Sequence, residues 1–194
     1  MTELVTSGGG QDLMTFMALG GGQEVGRSCL YLKYKGRTLL LDCGIHPGRD
    51  GIDSCPFFDS VDPDEVDLIL ITHFHLDHCA ALPYFTEKTN FRGRIFMTHA
   101  TKAVMRLLVA DSVKLSKGGL YDEYDLQNCI QKIEVVDYHQ SIEYKGIKFC
   151  AYAAGHVLGA AMFTIDIDGV VVLYTGDYSM EADRHLSPAE VPLE

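Results

Sequence analysis

The chain has 194 residues, of which 47% are hydrophobic and 22% charged, and its formal net charge is −11. Such a chain buries roughly two-thirds of its unfolded surface in a folded core, which excludes a disordered or fibrous protein. No apolar run reaches the ~18 residues of a membrane span, and the polar start MTELVTSGGGQD lacks secretory-signal character.

Residues 1–13 read as a polar, Gly-rich, flexible tail. Strands are expected over 14–20, 28–34 and 37–42, the last two joined by a tight turn at Lys35-Gly36. Residues 43–66, dense in Gly, Pro and Asp, read as a surface excursion, and 67–72 (DLILIT) as a buried central strand. A short helix over 77–85, interrupted near Pro83, is followed by a strand over 94–98. Apolar spacing at Val104, Leu107, Leu108 and Val113 predicts a helix over 100–113. An acidic start predicts another over 122–131. Strands over 147–152, 161–167 and 170–175 follow, the last two joined at Asp168-Gly169. The class is α/β, with strands gathered at both ends.

The six cysteines (Cys29, Cys43, Cys55, Cys79, Cys129, Cys150) are scattered and form no C-x-x-C, so they read as reduced thiols of a cytosolic or nuclear protein. The acidic balance argues against a surface that grips nucleic acid throughout, but it leaves room for a local phosphate-binding face.

The strongest chemical signal is His73-Phe74-His75-Leu76-Asp77-His78, directly after the buried strand. Three imidazoles and a carboxylate within six residues suit zinc, because neutral imidazole and carboxylate are borderline-hard ligands. His73 and His75 can reach one ion while Asp77 and His78 turn toward a second. The bland alternative is a cluster of polar loop residues, but four at this spacing are far rarer than a lone structural histidine. His156 (in AGHVLG) and Asp177 (in LYTGDY) each stand just beyond an apolar strand, which makes them candidates for the same face. Asp42 ends the strand RTLLLD in the same way. It is either a partner that orients a metal-bound histidine or a simple strand cap.

The pattern His73-x-His75-x-Asp77-His78, with Asp42, His156 and Asp177, resembles the metallo-β-lactamase superfamily. LGGGQEVGRSC (19–29), DCGIHPG (42–48), MTHATKA (97–103) and AGHVLGAAMF (154–163) extend the likeness. They resemble, within the β-CASP group, the endonuclease subunits of the cleavage and polyadenylation specificity factor. The resemblance implies part of an αββα sandwich holding two Zn2+. His73, His75 and His156 would hold the first ion, Asp77 and His78 the second, and Asp177 would bridge them. Asp77 would also orient the attacking water, with Asp42 supporting from behind the ligands. The implied reaction is hydrolysis of pre-mRNA at its 3′-processing site, in the nucleus, beside other subunits of that complex. It would leave a 3′-hydroxyl upstream and a 5′-phosphate downstream, with no nucleotide cofactor and no membrane. In that family a further zinc-binding histidine and the histidine that protonates the leaving oxygen lie beyond residue 194. Residues 14–194 are thus expected to be the N-terminal part of the lactamase domain, without the β-CASP insertion and the remainder.

Three weaker features complete the reading. Residues 86–117 carry seven basic side chains (Lys88, Arg92, Arg94, Lys102, Arg106, Lys114, Lys117) against Glu87 and Asp111. That local excess is either a track for RNA phosphates or, by preference, a solvated helix face or a contact with a missing domain. Gly20-Gly21-Gly22 with Gly26 lacks nucleotide-loop spacing and reads as a tight loop near the metal face. His46, His99 and His139 have no ligand-like neighbours, and His185 is not taken as a general acid. Two rival functions stay open: a stand-alone hydrolase of a small ester or thioester, and a non-catalytic truncated scaffold.

Overall fold

Four stretches of chain end at one edge of the molecule, and the strand directions bring them there. A computed structural model describes residues 2–4, 13–115 and 119–192. Its first sheet runs β1 (Thr2–Leu4), β2 (Met14–Gly20), β3 (Cys29–Tyr34), β4 (Arg37–Leu41), β5 (Leu68–Leu70), β6 (Arg94–Met97) and β7 (Ile133–Val135), in that spatial order. The first four pair antiparallel, and β4 through β7 pair parallel. The second sheet has the order β11 (Val170–Tyr174), β10 (Ala161–Ile167), β9 (Ile147–Ala153), β8 (Ser141–Tyr144), all antiparallel. Strands β9 and β11 therefore point the same way.

Alternation within the strands builds two cores. Leu39, Leu41, Leu68, Leu70 and Phe96 face Phe149, Ala151, Phe163, Ile165 and Ile167 across the sheets. Leu40, Ile69, Ile71, Ile95 and Met97, on the opposite face of the first sheet, pack against the helices. These are α1 (Leu76–Cys79), α2 (Leu82–Glu87), α3 (His99–Leu115) and α4 (Glu123–Lys132). Among the described residues the layers are helix, sheet, sheet: three layers of the expected αββα sandwich. The outer face of the second sheet carries exposed Val171 and Leu173.

Several expectations change in detail. Thr2–Leu4 pair with Met14–Phe16, because β2 would otherwise leave an edge of unpaired backbone groups. Met1 and residues 5–12 of the expected tail lie outside the described residues. The helix expected over 77–85 is two helices with a break at Ala80-Ala81. Pro83 sits in the first turn of α2, where its missing N–H costs no hydrogen bond, so it starts a helix rather than interrupting one. Helix α4 begins after Asp122, whose side chain and that of Asp125 cap each other's backbone N–H. Strands β7 and β8 were not anticipated. The turns at Lys35-Gly36 and Asp168-Gly169 take the left-handed backbone that such hairpins need. All six cysteines are free thiols.

Candidate metal centre

The centre stands where β4, β5, β9 and β11 all finish. After Leu41 the chain turns through Asp42 in a left-handed conformation (φ 62°), which aspartate tolerates better than most residues. Strand β5 leads into Thr72 and the loop 73–75, with Leu76, Asp77 and His78 forming α1. His156 follows β9 and Asp177 follows β11. Three backbone bonds clamp the loop around α1: Ser28 N–H to Asp77 O (2.8 Å), Cys43 N–H to His78 O (2.8 Å) and Ile45 N–H to Leu76 O (3.0 Å). The end of the Gly-rich loop therefore lies directly behind the ligand loop. On the other side, the Thr98 and Thr101 hydroxyls donate to Gly159 O and hold the His156 loop on the start of α3.

His73, His75, His156 and Asp177 each offer one ligand atom, and these atoms lie within 4.8 Å of one another. The three rings stand nearly edge-on, with centroids 4.7–5.0 Å apart and interplanar angles of 77–87°. His75 Nδ1 is 3.0 Å from His73 Nε2 and 3.3 Å from His156 Nε2. A tetrahedral ion with zinc–nitrogen bonds of about 2.0–2.1 Å places its ligand atoms about 3.3 Å apart, which the spacing of His75 from His73 and His156 matches, while Asp177 stands somewhat wider. Asp177 Oδ2 lies 3.9 Å from His73 Nε2, 3.8 Å from His156 Nε2 and 3.6 Å from His78 Nε2. His78 Nε2 is also 3.7 Å from Asp77 Oδ2. All six candidate ligands named from the sequence thus gather at one place, with Asp177 between the two groups.

Asp42 is fully buried and accepts four hydrogens. They come from His78 Nδ1 (2.8 Å), the Tyr174 hydroxyl (2.9 Å), Thr72 N–H (2.7 Å) and the Thr72 hydroxyl. Burial and the Asp42 charge push the Tyr174 phenol well above its usual range, which keeps it a donor. Thr72 and Tyr174 were not singled out in the sequence. The available signal was a polar atom at each apolar strand's end, beside a candidate ligand.

Burial, then the neighbouring His78, pushes the His73 imidazole down to about 3, and burial lowers His156 as well. Burial opposes charge at His78 too, but the Asp42 hydrogen bond and charge, with Asp177 and Asp77, raise it overall. In chelator-treated protein the unfolded chain binds protons between pH 6.5 and 3 that folded His73 refuses, so stability falls as pH drops below 6.5. The loss expected from His73 alone is about 2 kcal/mol between pH 6.5 and 5. His78 acts on the other side: its stabilisation is complete below 6.5 and fades as pH rises through its folded value. Urea unfolding at pH 5, 6.5 and 8 in chelator checks both signs.

The weaker candidates lie elsewhere. His46 accepts from Gly48 N–H, and His139 pairs with Glu190. His99 and His185 line a cleft of about 370 Å³ with Tyr138 and Leu158, against the loop that carries His156. Of the seven basic residues, Lys88, Arg92 and Arg94 pair with Asp125, Asp64 and Glu134, and Lys102 donates to Ile133 O. Lys117 lies outside the described residues. Four of the seven thus make intramolecular contacts.

Two facing sheets, a helical layer on one side and a His/Asp cluster at the strand ends define a metallo-β-lactamase fold with a site able to bind metal. Residues 31–192 match the metallo-beta-lactamase superfamily domain, and the chain belongs to that superfamily. It is 57% identical over 185 residues to cleavage and polyadenylation specificity factor subunit 3-I of Arabidopsis thaliana, covering 93% of this chain and 27% of that protein. It is 55% identical to cleavage and polyadenylation specificity factor 73 of Drosophila melanogaster over the same shares. Endoribonuclease YSH1 of Saccharomyces cerevisiae is 54% identical over 189 residues, 91% of this chain and 24% of that one. The chain spans about a quarter of the length of these relatives. Among solved structures, a Cronobacter sakazakii metallo-beta-lactamase with a HARLDQ motif aligns at TM-score 0.57 and 15% identity, over 85% of this chain and 59% of that one. A protein of unknown function from Enterococcus faecalis aligns at TM-score 0.60 and 17% identity, over 86% and 44%. These two likenesses concern the fold.

Proposed function

We propose that the chain is the N-terminal part of the lactamase domain of a zinc-dependent endoribonuclease that cleaves pre-mRNA at its 3′-processing site. A β-CASP domain and the remaining lactamase residues, as the family resemblance implies, would complete the enzyme, which would work in the nucleus with other subunits of the cleavage and polyadenylation complex. The observation that carries this reading is the gathering of all six ligand candidates in a chain 54–57% identical to the factor subunits and YSH1.

His73, His75 and His156 would hold one zinc, Asp77 and His78 a second, and Asp177 would touch both. When bound, two such ions supply Lewis acidity at the phosphoryl oxygens and acidify a water. Asp77 would accept a hydrogen bond from that water and orient it toward phosphorus, opposite the leaving 3′-oxygen. Attack would form the new P–O bond and break the P–O3′ bond, with the proton for the leaving 3′-oxygen coming from the histidine that the resemblance places beyond residue 194, giving a 3′-hydroxyl upstream and a 5′-phosphate downstream. Asp42, through His78, keeps one imidazole aimed at the centre.

A chimera tests the reading: residues 1–192 of this chain replace the matching segment of Saccharomyces YSH1. The chimera is expected to restore 3′-end cleavage in extracts depleted of YSH1. His156→Ala with Asp177→Ala is expected to abolish cleavage while the protein still enters the complex. Cleavage by the double variant would leave only a scaffold role. Hydrolysis of small thioesters without RNA cleavage would favour the stand-alone hydrolase.

A further inference from the structure

We propose that Thr72 is a positioning residue for the metal centre, its hydroxyl dictating which ring nitrogen His73 presents to the ion. The inference rests on the metal reading above. Thr72 is fully buried just beyond β5. Its Oγ1 lies 2.9 and 3.0 Å from the two Asp42 oxygens and 2.9 Å from His73 Nδ1. A hydroxyl has one hydrogen, and a carboxylate can only accept. The hydrogen therefore points to Asp42, because the reverse arrangement would press hydroxyl lone pairs against two carboxylate oxygens. The hydroxyl then accepts from His73, which requires Nδ1–H and leaves Nε2 bare. Nε2 is the atom that faces His75 and Asp177. Asp42 treats His78 in the same way without an intermediary, since it takes the Nδ1 hydrogen and leaves Nε2 toward Asp77 and Asp177. One buried carboxylate thus sets the tautomer of a ligand in each group, directly for His78 and through Thr72 for His73.

The Thr72 side chain is held in this pose. Ala161 N–H donates to its carbonyl at 2.9 Å, joining the end of β5 to the second sheet. Gly176, with φ 51°, packs so closely that a Cβ there would lie 2.6 Å from the threonine methyl carbon and 2.7 Å from Oγ1. The glycine before Asp177 leaves room for the Thr72 side chain in this pose, which a Cβ there would displace.

The test combines long-range 15N–1H NMR of the histidine rings with zinc affinity measured by chelator competition, both on the 194-residue chain. Metal-free wild type is expected to show His73 protonated at Nδ1, and an Nε2–H ring there overturns the proposal without any variant. Thr72→Val is expected to weaken zinc binding about 10–100-fold, the range for a lost partner behind a metal-bound histidine, and to release the Nε2–H tautomer. Thr72→Ser keeps the hydroxyl and is expected to retain both properties. Equal weakening by valine and serine assigns the effect to packing and overturns the proposal, as does unchanged affinity in Thr72→Val. Failure of the wild type to bind zinc overturns the metal reading itself. Zinc binding with an Nε2–H ring at His73 overturns only the role of Thr72.

Discussion

Asp177→Ala is expected to strip both metal positions, whereas His78→Ala strips mainly one. Asp177 Oδ2 lies 3.6–3.9 Å from His73, His78 and His156, so a single oxygen addresses imidazoles of both groups. Asp177 is half exposed, and its side chain carries little of the packing. Its loss is therefore expected to leave the fold intact while metal affinity drops more than about 100-fold, beyond what a lost partner behind a ligand costs. Elemental analysis after dialysis against weak chelator is expected to give about two zinc ions for wild type, below one for Asp177→Ala and near one for His78→Ala. Matching single losses in the two variants would contradict a bridging role. Circular dichroism separates loss of metal from loss of fold.

The second large effect is structural and falls on Gly44. A Cβ at this position would lie 1.7 Å from Asp77 O, 1.9 Å from Asp77 C and 2.4 Å from His78 N. All three are backbone atoms, so no rotamer change relieves the overlap. Either the 42–45 segment or the 75–78 loop must move, breaking the clamp of Ser28, Cys43 and Ile45 on α1. Gly44→Ala is expected to cost roughly 3 kcal/mol or more, the upper range for overpacking a close-packed site. It is also expected to displace Asp77 and His78 enough to lose zinc. Thermal unfolding with a zinc count checks both results. Wild-type values in both would rule out the close approach.

The place of the candidate site was legible in the sequence because most of its candidate ligands are local. His73, His75, Asp77 and His78 lie within six residues, and the apolar run before them marks a buried strand whose end must carry them. His156 and Asp177 were found by the same logic, a polar ligand type just past an apolar strand. Strands β7 and β8 escaped because three or four residues hold too little periodicity, and their pairing is supplied by β6 and β9. Pro83 misled because a proline inside an apolar run reads equally as the end of one helix or the start of another.

Residue types, their spacing and strand alternation by themselves determined the α/β class and pointed to six candidate ligands that the fold gathers into a site able to bind metal. Tertiary structure alone decided what stands behind those ligands. Asp42 read equally as a strand cap until the fold brought His78, Tyr174 and Thr72, from 36, 132 and 30 residues away, to its two oxygens. Gly44 and Gly176, not singled out in the sequence, matter because backbone and side chain close on them in the fold. The physical reason is that a ligand's chemistry belongs to its side chain, whereas its tautomer and aim belong to neighbours that only strand packing brings into contact.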